Sequence, residues 1–210
     1  MSSNKETFGA DEILNAYNIR NRITFDNLNL DGPNHNILDF GCGYGTPTRI
    51  LAESIPSVDI TGYDISSERV NKAKRLYWSK HVNNINFTSS TEEVNNNSPY
   101  NNIISSFVLE HSGTEILSYF KDILKTGGKL IIFFYNIKGK NFNNFNFYVG
   151  EEKNTIKNIG FEKSLQLWSK NGASDYIKSV QDVGFSILKT DKVPRSKGKY
   201  SYLVAQKVVS

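Results

Sequence analysis

The chain has 210 residues, of which 38% are hydrophobic, 12% aromatic and 22% charged, the composition of one globular domain and not of a disordered or repetitive chain. Twenty-five basic against 21 acidic residues leave a net charge of +4, too small a surplus to demand a nucleic-acid partner. The longest apolar run, Leu130–Tyr135, is one strand long, short of the roughly 18–20 residues that cross a bilayer. The N-terminus has no apolar stretch after its first charges, so no secretory leader is expected. The single cysteine, Cys42, excludes an internal disulfide framework and a multi-cysteine zinc site and suits a reducing cytoplasm.

An amphipathic helix is expected before residue 35, with Ile13, Leu14, Tyr17 and Ile19 on or near one face. From there strand-like and helix-like stretches alternate, which predicts βαβ units, a mostly parallel sheet and helices on both its faces. Asn36–Phe40 is a short strand running into a glycine-rich turn; Thr46 as N-cap and Pro47 as first helical residue then open a helix toward Pro56. Asp59–Tyr63 is a second strand ending at Asp64, and Ser66 or Ser67 caps a helix through Val70, Ala73, Leu76 and Tyr77. Ile85–Phe87 and Ile103–Val108 are the third and fourth strands. Ile116, Leu117, Phe120, Ile123 and Leu124 give Glu115–Leu124 a helical apolar face, and Gly127-Gly128 breaks it before the apolar strand Lys129–Tyr135. A helix at Ser174–Val183 precedes strands Phe185–Thr190 and Tyr200–Val208, joined by a basic turn at Arg195–Lys199 into an antiparallel hairpin. The whole reads as one domain, 1–210, with 1–34 a helical cap and 136–173 an insertion of the length used for lids and binding loops.

The turn Asp39-Phe-Gly41-Cys-Gly43-Tyr-Gly45 lies between a predicted strand and a predicted helix. Glycines there let the backbone turn sharply and approach a ligand that a Cβ would repel. A carboxylate, Asp64, ends the next strand nineteen residues past the last glycine, the offset at which nucleotide-binding α/β folds hold the ribose hydroxyls. The competing explanation is a purely structural turn with Asp64 as a helix cap. The spacing is Gly-x-Gly-x-Gly, with Thr46 where a dinucleotide site has its third glycine. Asp39 also stands two residues before the first glycine, a poor neighbour for a pyrophosphate and a suitable one for a cationic ligand end.

With these residues in view, the chain resembles the class I S-adenosylmethionine-dependent methyltransferases. The resemblance rests on ILDFGCGYG (37–45), ITGYDIS (60–66), YNNIISSFVLEH (100–111) and LKTGGKLII (124–132), in the family's order and spacing. It implies a Rossmann-like seven-stranded sheet whose last strand inserts antiparallel, and S-adenosylmethionine as cofactor. It also implies that Gly41, Gly43 and Gly45 line the methionyl part, that Asp39 orients its amino end through the loop or a water, and that Asp64, followed by Ile65, binds the ribose. The family's adenine-contacting Asp after strand three is missing; Ser90, Thr91 or Glu92 stands in its place, and Thr91 is carried as the candidate. Asn101 and Thr126 likewise replace the family's usual Asp and Pro. Ser106 and Phe107 at the end of strand four, and Tyr17 on the first helix, are expected to close the cofactor cleft, core packing being the alternative for the two aromatics.

Methyl transfer asks mainly for alignment, and a general base only for a hydroxyl or protonated amine. His111, after strand four, is the candidate; the alternative is that it caps or packs beside the next helix. His35 and His81 fall in predicted connections and are expected to be exposed. No carboxylate cluster with ligand spacing accompanies Glu110, so no metal is expected. Phe142, Phe145, Phe147, Tyr148 and Trp168 in the insertion suit a planar or apolar substrate pocket or, equally, a half-buried strand. The expected activity is methyl transfer to an oxygen or nitrogen of a small molecule, such as a secondary-metabolite intermediate, by a monomer or homodimer. The alternatives are an RNA or protein methyltransferase, or a non-catalytic subunit that kept the cofactor fold. A base-amine methyltransferase would resemble its relatives in an Asn/Asp-Pro-Pro-Tyr/Phe motif where this chain has Ser105-Ser-Phe-Val. A dehydrogenase is disfavoured by the glycine spacing.

Overall fold

A computed structural model describes residues 10–30, 35–77, 82–112, 114–135, 173–196, 198 and 200–208. Chain order is α1 (Ala10–Asn27), β1 (Asn36–Phe40), α2 (Thr46–Ser54), β2 (Asp59–Tyr63), α3 (Ser67–Tyr77), β3 (Ile85–Thr88), α4 (Thr91–Asn96), β4 (Tyr100–Ser106), α5 (Leu109–Ser112), α6 (Ile116–Ile123), β5 (Leu124–Tyr135), α7 (Ala173–Asp182), β6 (Phe185–Lys192) and β7 (Tyr200–Lys207). The seven strands form one sheet in the order β3-β2-β1-β4-β5-β7-β6. Strands β1 to β5 are parallel, and β7 runs antiparallel between β5 and β6. This is the Rossmann-like sheet with a terminal hairpin that the resemblance implied.

The period-two alternation of the strands divides the interior in two. On one face Ile37, Ile60, Ile104, Ile131 and Phe133 pack with Ile23 of α1 and Leu51 and Ala52 of α2. On the other, Leu38, Ile103, Leu130, Ile132 and Phe134 pack with Leu117 and Phe120 of α6 and Tyr176 and Val180 of α7. Strands apolar on both faces are what a parallel sheet sandwiched by helices requires.

Several expected boundaries move. Gly127 and Gly128 do not end a helix before a strand; they lie inside β5, which starts at Leu124 and is irregular opposite Tyr100 and Asn102. A Cβ on Gly128 would come within 2.8 Å of the Asn101 and Lys125 carbonyl oxygens, so the close backbone approach selects glycine. Strand β4 stops at Ser106 because Phe107 turns to a φ of 59°. Gly45, not Thr46, is the N-cap of α2. Helix α4 was unanticipated; Ser90 starts it by accepting a hydrogen bond from the Glu93 amide.

The inner face of α1 also differs from the apolar pattern. Leu14 is half exposed, Tyr17 and Ile19 are partly buried, and the residues fully turned inward are Arg20, Asn21, Ile23 and Thr24. A helix that docks through hydrogen bonds and an ion pair leaves a weak hydrophobic period. His35, expected at the surface, is buried where the chain enters β1, its carbonyl accepting from the Asp59 amide. Among the described residues no helix is long and apolar enough to cross a membrane.

Candidate functional site

The carboxyl ends of β1, β2 and β4 meet where the strand order reverses, with β2 and β3 on one side of β1 and β4 on the other. Open α/β sheets form their ligand crevice at such a point. The loop after β1 is hooked to the end of β2: the amides of Gly41 and Cys42 both donate to the Tyr63 carbonyl, at 2.7 and 2.9 Å. Gly41, Gly43 and Gly45 have φ of 81°, 57° and 74°, all in the left-handed region that strongly favours glycine. They differ in what lies above them. A Cβ on Gly41 would collide with Val108 Cγ2 and one on Gly45 would meet the Phe87 ring at 2.5 Å, whereas above Gly43 nothing lies within 4 Å. Two glycines are thus required by the protein's own packing, and the middle one faces open space.

Two carboxylates flank this loop. Asp39 is buried, and both its oxygens are engaged: Arg20 Nη2 donates to Oδ1 and Thr48 Oγ1 to Oδ2, each at 2.7 Å. The Arg20 guanidinium answers the Asp39 charge from within the protein. Asp64 is also buried, but its oxygens accept from backbone, Oδ2 from the Gly43 amide at 2.9 Å and Oδ1 from the Ser66 amide at 3.0 Å, with Arg69 Nη1 3.9 Å from Oδ1. Between them, the Cys42 thiol is pushed up by burial and by the charges of Asp39 and Asp64, so it stays protonated and non-nucleophilic.

Comparison with known proteins gives this crevice a family. Residues 38–130 match the family described as a methyltransferase domain. That segment, a little under half of the chain, is a methyltransferase domain, and the sheet around it has the fold of the class I S-adenosylmethionine-dependent methyltransferases. No curated protein sequence matches it significantly. Among solved structures, geranyl diphosphate C-methyltransferase from Streptomyces coelicolor A3(2) has a TM-score of 0.66 at 11% identity, over 94% of this methyltransferase and 82% of that chain. Magnesium protoporphyrin IX methyltransferase from Synechocystis PCC 6803, with bound S-adenosylhomocysteine, has a TM-score of 0.63 at 17% identity, over 97% and 89%. The [4+2]-cyclase SpnF has a TM-score of 0.65 at 16% identity, over 91% and 81%. At such identities the likeness is one of fold; SpnF carries a different reaction in its name.

The cofactor of this methyltransferase is S-adenosylmethionine, and the residues present fit it. The open face above Gly43 would be filled by any Cβ, and the Asp64 carboxylate beside it can accept from hydroxyls. The other predicted residues gather unevenly. Ile65 follows Asp64 and is 70% exposed. Thr91 opens α4 with its side chain exposed, whereas the Ser90 hydroxyl is occupied as the helix cap. Ser106 Oγ accepts from Arg20 Nε at 3.1 Å. Tyr17 lies one helical turn before Arg20 on α1. His111 belongs to α5, but its side chain and that of Glu110 lie outside the described residues, as do His81 and the aromatics of the insertion from Phe142 to Trp168. Among the described residues no group of three His, Cys, Asp or Glu could hold a metal ion.

Arg20 escaped the sequence reading. It is buried, gives Nη2 to Asp39, Nε to Ser106 and Nη1 to Asn21, and its guanidinium carbon lies 5.9 Å from the Phe133 ring centroid. Asn21 in turn donates to the Pro47 carbonyl at 2.8 Å, so two adjacent residues fasten α1 to β1, β4, β5 and α2. The signal was the acid inside a strand: a carboxylate at a buried position needs a partner, and an arginine inside a predicted amphipathic helix was available to supply it.

Proposed function

We propose that this methyltransferase moves the methyl group to an oxygen or nitrogen of a small-molecule acceptor by in-line displacement. The observation that supports the site is the open left-handed turn at Gly43, whose amide lies 2.9 Å from the Asp64 carboxylate. Backbone that a nucleoside can lie against stands there beside an acceptor for its ribose hydroxyls. The bound cofactor supplies a methyl already activated by the sulphonium, so the protein's task is alignment. Gly41, Gly43 and Gly45 line the methionyl end, Asp64 holds the ribose, Ile65 lies along the adenosine and Thr91 contacts the adenine edge. Tyr17, Ser106 and Phe107 close the crevice from α1 and β4. Asp39 acts at one remove, holding Arg20 and Thr48 and with them the two helices that frame the loop.

His111 is the candidate to take the acceptor's proton. A small acceptor accords with the acceptors named for structural neighbours, magnesium protoporphyrin IX and geranyl diphosphate, and with the lack of a nucleic-acid methylation motif. The same reading comprises one domain over 1–210, a helical cap at 1–34, a substrate lid at 136–173, action as a monomer or homodimer in the cytoplasm, and a secondary-metabolite substrate.

Calorimetry with S-adenosylhomocysteine tests the site. Asp64→Ala should weaken binding by about 1–3 kcal/mol, the cost of leaving ribose hydroxyls without their charged acceptor, and unchanged affinity in a folded variant removes the assignment. His111→Ala should lower turnover more than cofactor affinity. With tritiated S-adenosylmethionine in cell extract, label should enter the low-molecular-mass fraction; label in RNA or protein replaces the small-molecule reading.

A further inference from the structure

One backbone outlier adjoins this site. Phe107, the first residue after β4, has a φ of 59°, a conformation that costs a bulky side chain strain and that survives only where surrounding contacts impose it. Its amide donates to the Phe133 carbonyl at 2.9 Å. Its ring centroid lies 4.7 Å from that of Tyr135 and 5.4 Å from that of Tyr200, and the two tyrosines are 5.2 Å apart. Tyr135 ends β5 and Tyr200 begins β7, directly opposite in the antiparallel ladder. All three residues are partly buried: Phe107 and Tyr135 pack against the core from the end of the sheet and, like Tyr200, keep some exposed surface. Burial nonetheless pushes the Tyr200 phenol above its ordinary range, so it remains neutral.

The strained turn fixes its neighbours as well. Ser106, just before it, is held by Arg20, and Val108, just after it, covers Gly41. The ring cluster is therefore tied to the cofactor loop by consecutive residues, on the side of the sheet away from Asp64 and β3. A ligand lying from Asp64 across Gly43 would extend toward this cluster, since β4, β5 and β7 follow β1 in the sheet.

We propose that Phe107, Tyr135 and Tyr200 form the wall of the acceptor site and select a planar aromatic acceptor. Rings meeting at interplanar angles of 44°, 66° and 67° present both faces and edges, which an aromatic guest can match by stacking and edge-to-face contact and a saturated one cannot. The neutral Tyr200 phenol suits an uncharged guest. This inference rests on the methyltransferase reading above, and its test separates the two.

The probes are 2-naphthol and its saturated counterpart trans-2-decalol, titrated calorimetrically into the protein saturated with S-adenosylhomocysteine. Naphthol should bind roughly tenfold more tightly than decalol, the selectivity expected of two or three ring contacts. Tyr200→Leu and Tyr135→Leu should each remove most of that selectivity, while Tyr200→Phe, which keeps the ring, retains it. Equal binding of the two probes, no naphthol binding, or selectivity untouched by both leucine variants overturns the ring wall. S-adenosylhomocysteine binding by each variant reports that it is folded, and if either leucine variant fails to fold, the wild-type probe comparison and Tyr200→Phe still decide. Failure of S-adenosylhomocysteine to bind the wild-type protein overturns the cofactor reading instead.

Discussion

The tips of β1 and β2 lie side by side and each carries a buried aspartate, yet the two are built differently. At the β1 tip, Asp39 is answered by side chains from two helices, Arg20 and Thr48. At the β2 tip, Asp64 is answered by backbone amides of the glycine loop and the start of α3. The first arrangement is closed, with both oxygens committed to holding α1 and α2 in place. The second adjoins Gly43, above which nothing lies within 4 Å, the side from which the proposed ligand hydroxyls would come. Identical side chains one strand apart thus separate into one that ties two helices to the sheet and one that ties the glycine loop to the start of α3.

Breaking the closed side should have the largest effect. Arg20→Met leaves Asp39 charged, buried and half unpaired, and should destabilise the fold by about 3–5 kcal/mol, read from urea unfolding. Adding Asp39→Asn should recover part of that loss. Equal stability of Arg20→Met and wild type would show the pair to be incidental.

The glycines sharpen the same contrast. Gly45→Ala forces a Cβ into the Phe87 ring and a φ of 74°, and should cost about 2–4 kcal/mol of stability. Gly43→Ala meets no atom within 4 Å, so its stability cost should be limited to the left-handed backbone, about 1–2 kcal/mol, while S-adenosylhomocysteine affinity falls disproportionately. Comparable affinity losses in the two variants, once both are folded, would contradict the open-face assignment.

The smallest effect lies away from the site. Tyr100 is buried beneath α4, its hydroxyl donating to the Val94 carbonyl at 3.0 Å, and desolvation pushes its pKa from 10.0 to about 12. The folded state therefore favours the protonated phenol. That contribution is present in full below pH 10 and is lost as pH rises toward 12. Tyr100→Phe should flatten part of this alkaline fall in the urea midpoint; Tyr63, Tyr119 and Tyr200, raised in the same direction, should sustain the remainder.

Much of this was legible because the signals are local. Strand runs such as Asn36–Phe40 and Asp59–Tyr63, and the glycine turn with its downstream aspartate, are short-range patterns whose geometry follows from period and chirality. The start of β5 lies earlier than expected because Gly127 and Gly128 signal a break locally, while pairing with β4 on both sides of them, at Leu124 and again from Lys129, keeps the segment in the sheet. The inner face of α1 was misread because its docking is polar. His35 is buried against expectation because burial at a strand entrance leaves no mark in the sequence.

By itself the sequence determined the order of strands and helices, the left-handed turn that glycine alone tolerates easily, and the family. Tertiary structure decided which partners each aspartate holds, which glycine is left uncovered, and that Arg20, Phe107, Tyr135 and Tyr200 converge on one edge. The reason is physical: secondary structure and turns follow from contacts between near neighbours, whereas the partner of a buried charge and the space above a backbone atom depend on residues brought from as far as 86 positions away.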